Sequence, residues 1–159
     1  MVVENTGVRI SVKTDYAIRA AAELAVLGEG GPVKAQLIGT RQEIPLKFLL
    51  NILGDLRRAG VVRATRGVNG GYQLARPAGK ITLAEVIRAV EGPLANVHES
   101  RPEELRYSGP SAPLRDVWIA VRASLRSVLE HVTVAELASG ELPKAVTALS
   151  GQPEAWVPH

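Results

Sequence analysis

Residues 44–74 read IPLKFLLNILGDLRRAGVVRATRGVNGGYQL, and the period of this stretch changes halfway along it. Leu49, Ile52, Leu53 and Leu56 recur at i, i+3, i+4 and i+7, one apolar face of a helix. Lys47, Asn51, Gly54 and Arg58 fall on the opposite face. Pro45 suits the start of a helix, where a missing N–H costs nothing, and Ala59-Gly60 suits its end. Beyond it, Val61-Val62 and Tyr72-Gln73-Leu74 are short strand-like runs. Arg66-Gly67-Val68-Asn69-Gly70-Gly71 between them is a turn that needs positive φ at several positions. A helix followed by a two-stranded hairpin with a basic tip is the layout of a winged helix. Upstream, residues 33–40 (VKAQLIGT) have a short helical pattern with Leu37 and Ile38 expected inward. Arg41-Gln42-Glu43-Ile44 is a short connector. Two helices joined in this way form a helix-turn-helix, whose second helix fits a DNA major groove.

The rest of the chain bounds this reading. Its 159 residues allow one domain, or one small domain with an added dimerisation element, and 46% hydrophobic residues suffice for a core. Through Ala95 there are 13 Lys/Arg against 8 Asp/Glu, a charge of +5; from Asn96 onward there are 6 against 8, a charge of −2. The first part therefore suits a polyanion partner. The absence of cysteine excludes disulfides and thiolate metal sites. The start carries Glu4 and Arg9 without an apolar run, so no secretory leader is expected, and no stretch approaches the roughly 18 apolar residues of a membrane span. A soluble, cytoplasmic protein is expected, with no membrane partner.

Five further helical stretches complete the expected fold. Ser11 or Thr14 caps a first helix that runs to about Leu27, with Asp15, Arg19 and Glu23 placed to pair along one exposed strip. Thr82 with Glu85 is a capping box opening a helix that Gly92-Pro93 stops. Residues 96–113 are polar and hold three prolines, the composition of a loop. After them Leu114, Trp118, Val121, Leu125, Val128 and Val132 follow at spacings of four and three, a heptad-like seam widened by Val117 and Leu129. Thr133 with Glu136 caps a short helix, and residues 142–149 form a weaker one. The fold class is thus mostly α with a small β wing. Residues 9–95 are expected to form the winged helix-turn-helix domain, 96–112 a linker or sensor loop, and 113–150 a long dimerisation helix with C-terminal helices.

These residues carry a resemblance. The chain resembles the dimeric winged-helix transcription regulators that include the iron–sulfur cluster regulator, the nitric-oxide-sensing repressor and the cysteine-metabolism repressor. The matching pieces are Ile10–Lys13 with Asp15–Ala20, Ile44–Leu56 with Ala59–Val62, Arg66–Ala75, and Ile81–Leu83 with Ala89–Gly92; Val132–Leu137 matches more weakly. The resemblance spans about residues 9–140. It implies a sequence-specific DNA-binding regulator, expected to be a repressor, acting as a homodimer on a palindromic operator in double-stranded DNA. The seam residues Leu114, Trp118, Val121, Leu125 and Val128 would pair the long helices. Arg66 would enter the minor groove, and Lys47, Leu50 and Asn51 would read bases. Arg57 would contact a groove or phosphate, with Arg41 and Gln42 near the DNA backbone. Arg58 on the outward helix face and Asn69 and Gly70 at the wing tip complete the expected interface.

There are departures from the family pattern. Phe48 stands where many members have Tyr, Asn51 replaces a common Gln, Leu50 replaces a polar residue, and Glu43 occupies a turn position often held by Gly. Cluster-binding members place three cysteines in the loop before the long helix, and residues 97–113 have none. No iron–sulfur cluster, other cofactor or metal site is expected. His98 and His131, with Glu99, Glu103 and Glu104 near the first, read as solvated surface. The input is expected to be an organic effector held between the winged domain and the long helix, or a protein partner, or else this chain carries no switch; an effector site is expected first in an apolar pocket near Tyr16, Trp118 and the linker. An enzyme reading would treat Gly67–Gly71 as a phosphate cradle. A P-loop needs Gly-Lys-Ser/Thr opening a helix, whereas these glycines lead into a strand. A winged helix that binds protein instead of DNA fits the charge asymmetry less well.

Overall fold

The computed structural model describes residues 10–97 and 100–158. The helix-turn-helix is built on α1 (Val12–Leu27), α2 (Ala35–Gln42) and α3 (Leu46–Arg58). The wing follows as β1 (Val62–Thr65) and β2 (Gly71–Leu74), paired antiparallel with Val62 opposite Leu74 and Thr65 opposite Gly71. Then come α4 (Leu83–Glu91), α5 (Leu114–Leu129), α6 (Val134–Ser139) and α7 (Lys144–Ser150).

α1 is the central post. The Ser11 hydroxyl accepts from the Thr14 N–H and caps it, one of the two expected caps. Its buried Ala17, Ala20 and Ala21 leave little side chain between helices, and α2, α3, α4 and α6 all pack on it. The inward face of α3 is Leu49, Ile52, Leu53 and Leu56, all buried, as the period requires. Each such leucine or isoleucine contributes about 1.5–3 kcal/mol of burial. This face sets the rotation of α3 and therefore turns Lys47 and Asn51 outward.

Several local expectations change in three dimensions. Val33 does not begin α2. It lies extended beside β2, where its N–H donates to the Tyr72 carbonyl and its carbonyl accepts from the Tyr72 N–H, both at 2.8 Å. α2 therefore starts at Ala35 and takes in Arg41 and Gln42, so the turn shrinks to Glu43–Pro45. This rotation buries Ile38 but leaves Leu37 47% exposed, against the expectation that both face inward. Glu23 also departs from the exposed strip: Asp15 and Arg19 do pair at 3.0 Å, but Glu23 is buried under α2.

The glycines of the wing have steric causes. A Cβ on Gly70 would run into the Thr65 carbonyl, and one on Gly71 would lie 2.5 Å from the Val33 carbonyl oxygen. Gly71 also has φ of +151°.

The linker is seated on α5. Pro102 is fully buried, the Trp118 indole N–H donates to the Tyr107 hydroxyl at 3.1 Å, and Arg122 bonds Glu103 at 2.5 Å. After α5 the chain returns to the winged domain: the Leu83 N–H donates to the Val132 carbonyl and the Val134 N–H to the Ile81 carbonyl, each at 2.9 Å. Capping boxes open both α4 (Thr82, Glu85) and α6 (Thr133, Glu136). Val134 is part of the same core as α1 and α3. Residues 132–139, expected to go with the dimerisation helix, thus pack as part of the winged domain. No residue of α5 itself is buried.

Candidate nucleic-acid interface

Two surfaces bracket the turn from α2 to the wing. On α3, Lys47, Leu50, Asn51, Arg57 and Arg58 are all exposed. Phe48 and Leu46 extend the outward face with apolar surface. Among the described residues, Lys47, Arg57 and Arg66 make no ion pair. Arg58 is different, because it pairs with Asp55, which also holds Lys13 at 2.7 Å. The hydrogen bond from the Lys13 ammonium, with help from Arg58, holds the Asp55 carboxyl below the usual carboxylate range. This cluster ties the start of α1 to the last turns of α3.

At the wing, Arg66 and Asn69 are exposed and Gly70 is buried inside the turn. Gly70 shapes the tip, therefore, and its neighbours present it. The Lys34 ammonium donates to the Gly67 carbonyl at 3.2 Å, so the residue before α2 braces the tip. Gln73 donates to the Gly28 carbonyl at 2.8 Å, anchoring the base of the wing to the end of α1.

The approach to α3 is organised by a network centred on Glu23. Its carboxylate accepts from Arg41 Nε at 2.9 Å and from Gln42 Nε2 at 2.6 Å. Gln42 Oε1 in turn accepts from Arg19 Nε at 3.1 Å, and the Gln42 carbonyl accepts from a second Arg19 nitrogen. Both ends of the Gln42 amide are thus used within the chain. Arg41 keeps half of its side chain in solvent with its Nη nitrogens outside the Glu23 bond. Glu43 closes α2 in the left-handed region at φ 53°, ψ 43°. Arg19, Glu23, Lys13 and Lys34 were not expected at this interface. The i, i+4, i+8 spacing of Asp15, Arg19 and Glu23 was the visible signal, but it does not say which neighbour covers its end.

Tyr16 and Trp118 are occupied separately. The Arg19 guanidinium lies 5.4 Å from the centre of the Tyr16 ring, and Trp118 bonds Tyr107. A cleft of about 380 Å³ lies elsewhere, lined by the end of α4, the linker and α5. It is lined by arginines instead of aromatic rings, and neither Tyr16 nor Trp118 reaches it. His131 Nδ1 lies 3.1 Å from the Ser127 carbonyl oxygen. His98 and Glu99 lie outside the described residues. Among the described residues, no helix is long and apolar enough to cross a membrane.

A family model described as an iron-dependent transcriptional regulator, Rrf2, matches residues 10–140. An HTH-type transcriptional regulator of Mycobacterium tuberculosis is 47% identical over 142 residues, 89% of this chain and 88% of that one. Among solved structures, CymR of Bacillus subtilis, described as a global cysteine regulator, superposes with a TM-score of 0.71 at 31% identity, covering 84% of this chain and 98% of that one. IscR of T. potens superposes with a TM-score of 0.67 at 29% identity, covering 96% and 94%. The iron in the family description meets an unsuitable donor set. The sequence has no cysteine, and among the described residues no group of three or more His, Asp or Glu is placed to hold a metal ion.

Proposed function

Because the chain belongs to the Rrf2 family of transcriptional regulators, we propose that it is a repressor that binds a palindromic operator as a homodimer and works without an iron–sulfur cluster. The observation that carries this reading is the contrast between the two faces of α3. Its inward face is fully buried, and its outward face presents Lys47, Leu50, Asn51 and Arg57 beside the exposed wing-tip Arg66. Such a helix reads base edges in the major groove while the wing arginine enters the adjacent minor groove. Leu50 supplies apolar contact, suited to a thymine methyl, and Asn51 suits adenine. Arg41, braced by Glu23, and Arg58, braced by Asp55, serve the phosphates. Gln42 and Gly70 act indirectly, by holding the turn and the wing tip in place, and Asn69 flanks Arg66.

The dimer follows from α5. A 16-residue helix with no buried residue leaves the Leu114, Val121, Leu125 and Val128 strip half covered and Val117 exposed. Pairing with a second α5 covers that strip and fixes the distance between two recognition helices. Trp118, held by Tyr107, lies at the edge of this contact. The absence of thiolates removes cluster chemistry as the switch, leaving a small-molecule effector or a protein partner as the input. The protein acts in the cytoplasm, where its DNA partner is.

Operator selection from random duplexes tests the reading. The expected product is a two-fold symmetric site. Lys47→Ala and Asn51→Ala should change the selected bases, whereas Arg41→Ala should weaken all sequences alike. Asymmetric sites, or unchanged preferences in both α3 variants, would contradict it.

A further inference from the structure

The cleft between α4, the linker and α5 has an unusual charge balance. Arg88, Arg101, Arg122 and Arg126 line it, and Glu103 is its one carboxylate. Glu130 lies beside it, paired with Arg88 and 3.7 Å from Arg126. Four guanidiniums against two carboxylates leave a net charge of +2 among the described groups. Three separate parts of the chain contribute: Arg88 from α4, Arg101 from the linker, and Arg122 and Arg126 from α5. The last two are one helical turn apart and share a face.

Arg122 is the most enclosed of these cations, with 16% of its side chain exposed. Its partner is Glu103 of the linker, at 2.5 Å from one Nη nitrogen. A guanidinium carries five N–H donors arranged to grip oxyanions in pairs. Glu103 thus fills, with a carboxylate of the chain itself, part of a site built for an oxyanion. The cleft's volume of about 380 Å³ falls in the range of small-molecule sites, roughly 300–1,000 Å³.

We propose that this cleft binds a small organic or phosphorylated molecule carrying two acidic groups, with Arg122 and Arg126 gripping one group and Arg88 and Arg101 facing the other. The ligand competes with Glu103 for Arg122 and with Glu130 for Arg88 and Arg126. Binding therefore changes how the linker is held on α5 while engaging α4, which packs on α1 and α3. The site gives the regulator proposed above its chemical input, and that regulatory consequence rests on the DNA-binding reading; the anion binding itself does not.

The test uses citrate and pyrophosphate as probes, against sodium chloride at matched ionic strength, with calorimetric titration and thermal melting of the full chain. At ten times Kd the folding equilibrium shifts about 11-fold, a rise in Tm of roughly 3–6 °C for a chain of this size. The wild-type protein should show that rise with at least one probe, and the stronger probe identifies a carboxylate or a phosphate ligand. Arg126→Gln, at a half-exposed position, should abolish it. Glu103→Gln should tighten binding by roughly threefold or more, which general salt screening would not do. The double variant Lys47→Ala/Arg66→Ala should respond like wild type. No specific response to either probe overturns the site, as does a response unchanged in Arg126→Gln or weakened in Glu103→Gln. Loss of the response in the double variant would place the anion on the DNA-binding face and would also overturn it. Duplex binding by anisotropy, with and without the probe, then reads the coupling. Wild type that binds the probe but no DNA would refute the function and leave the site standing.

Discussion

Removing the Glu23 carboxylate should loosen the helix-turn-helix from beneath. Two hydrogen bonds are lost in Glu23→Ala, from Gln42 at 2.6 Å and Arg41 at 2.9 Å. A hydrogen bond to a buried charged acceptor is worth about 1.5–3 kcal/mol. The Gln42 bond takes that range, because Glu23 is enclosed with 10% of its side chain exposed. The Arg41 contribution is discounted to about 1 kcal/mol or less, since half of that side chain already meets solvent. Water entering the vacated space recovers part of the loss. The expected destabilisation is therefore about 2–3 kcal/mol, or a fall in Tm of roughly 4–12 °C at fixed protein concentration. Urea unfolding of Glu23→Ala, Gln42→Ala and the double variant measures it. A coupling energy of about 1 kcal/mol or more is expected, because the two side chains share a bond. Duplex binding should weaken as well, although neither residue is proposed to touch a base. A stability loss below about 0.5 kcal/mol with no coupling would refute the reasoning.

Three further outcomes follow from the geometry. Leu125→Glu should shift the protein toward monomer in sedimentation and weaken operator binding sharply while preserving most helical circular dichroism; a wild-type monomer at tens of micromolar would count against the dimer. Gly70→Ala should distort the wing through the Thr65 carbonyl at a cost of about 1–3 kcal/mol, and should impair DNA binding more than Arg66→Ala does. The Asp55 carboxyl is held below its ordinary range first by Lys13. Its contribution to stability is complete above that range and disappears as pH falls through the lowered folded value. Lys13→Met should therefore lower stability near neutrality and flatten its dependence on acid, as followed by thermal melting from pH 7 downward.

Features governed by neighbours in the chain were legible in the sequence. The buried face of α3 follows from residue spacing, and the capping boxes at Thr82 and Thr133 are written in four residues each. The basic, exposed tip of the wing was equally plain from its glycines and Arg66. Features governed by distant partners were not. Val33 looked helical among its neighbours, but it is claimed by Tyr72, 39 positions later, and that pairing delays the start of α2. Glu23 looked like one more surface carboxylate until Arg41 and Gln42 closed over it. The linker, expected beside Tyr16 and Trp118 at an apolar pocket, does line the cleft, but the cleft gathers arginines from three segments that no local spacing connects, and neither aromatic residue lines it. The seam of α5 is visible as an amphipathic pattern, but the pattern does not distinguish a partner's helix from the chain's own linker, which holds Trp118.

The central claim is that α3 and the wing together form a DNA-reading surface, and the salt dependence of duplex binding tests it most directly. Anisotropy titrations of a labelled operator duplex across a series of salt concentrations should give log K falling linearly with log salt, each phosphate contact adding about 0.9 to the slope. Arg66→Ala should weaken operator binding by about 1–3 kcal/mol and reduce that slope by about one. Binding that ignores salt, or an Arg66→Ala variant with wild-type affinity and slope, would contradict the account.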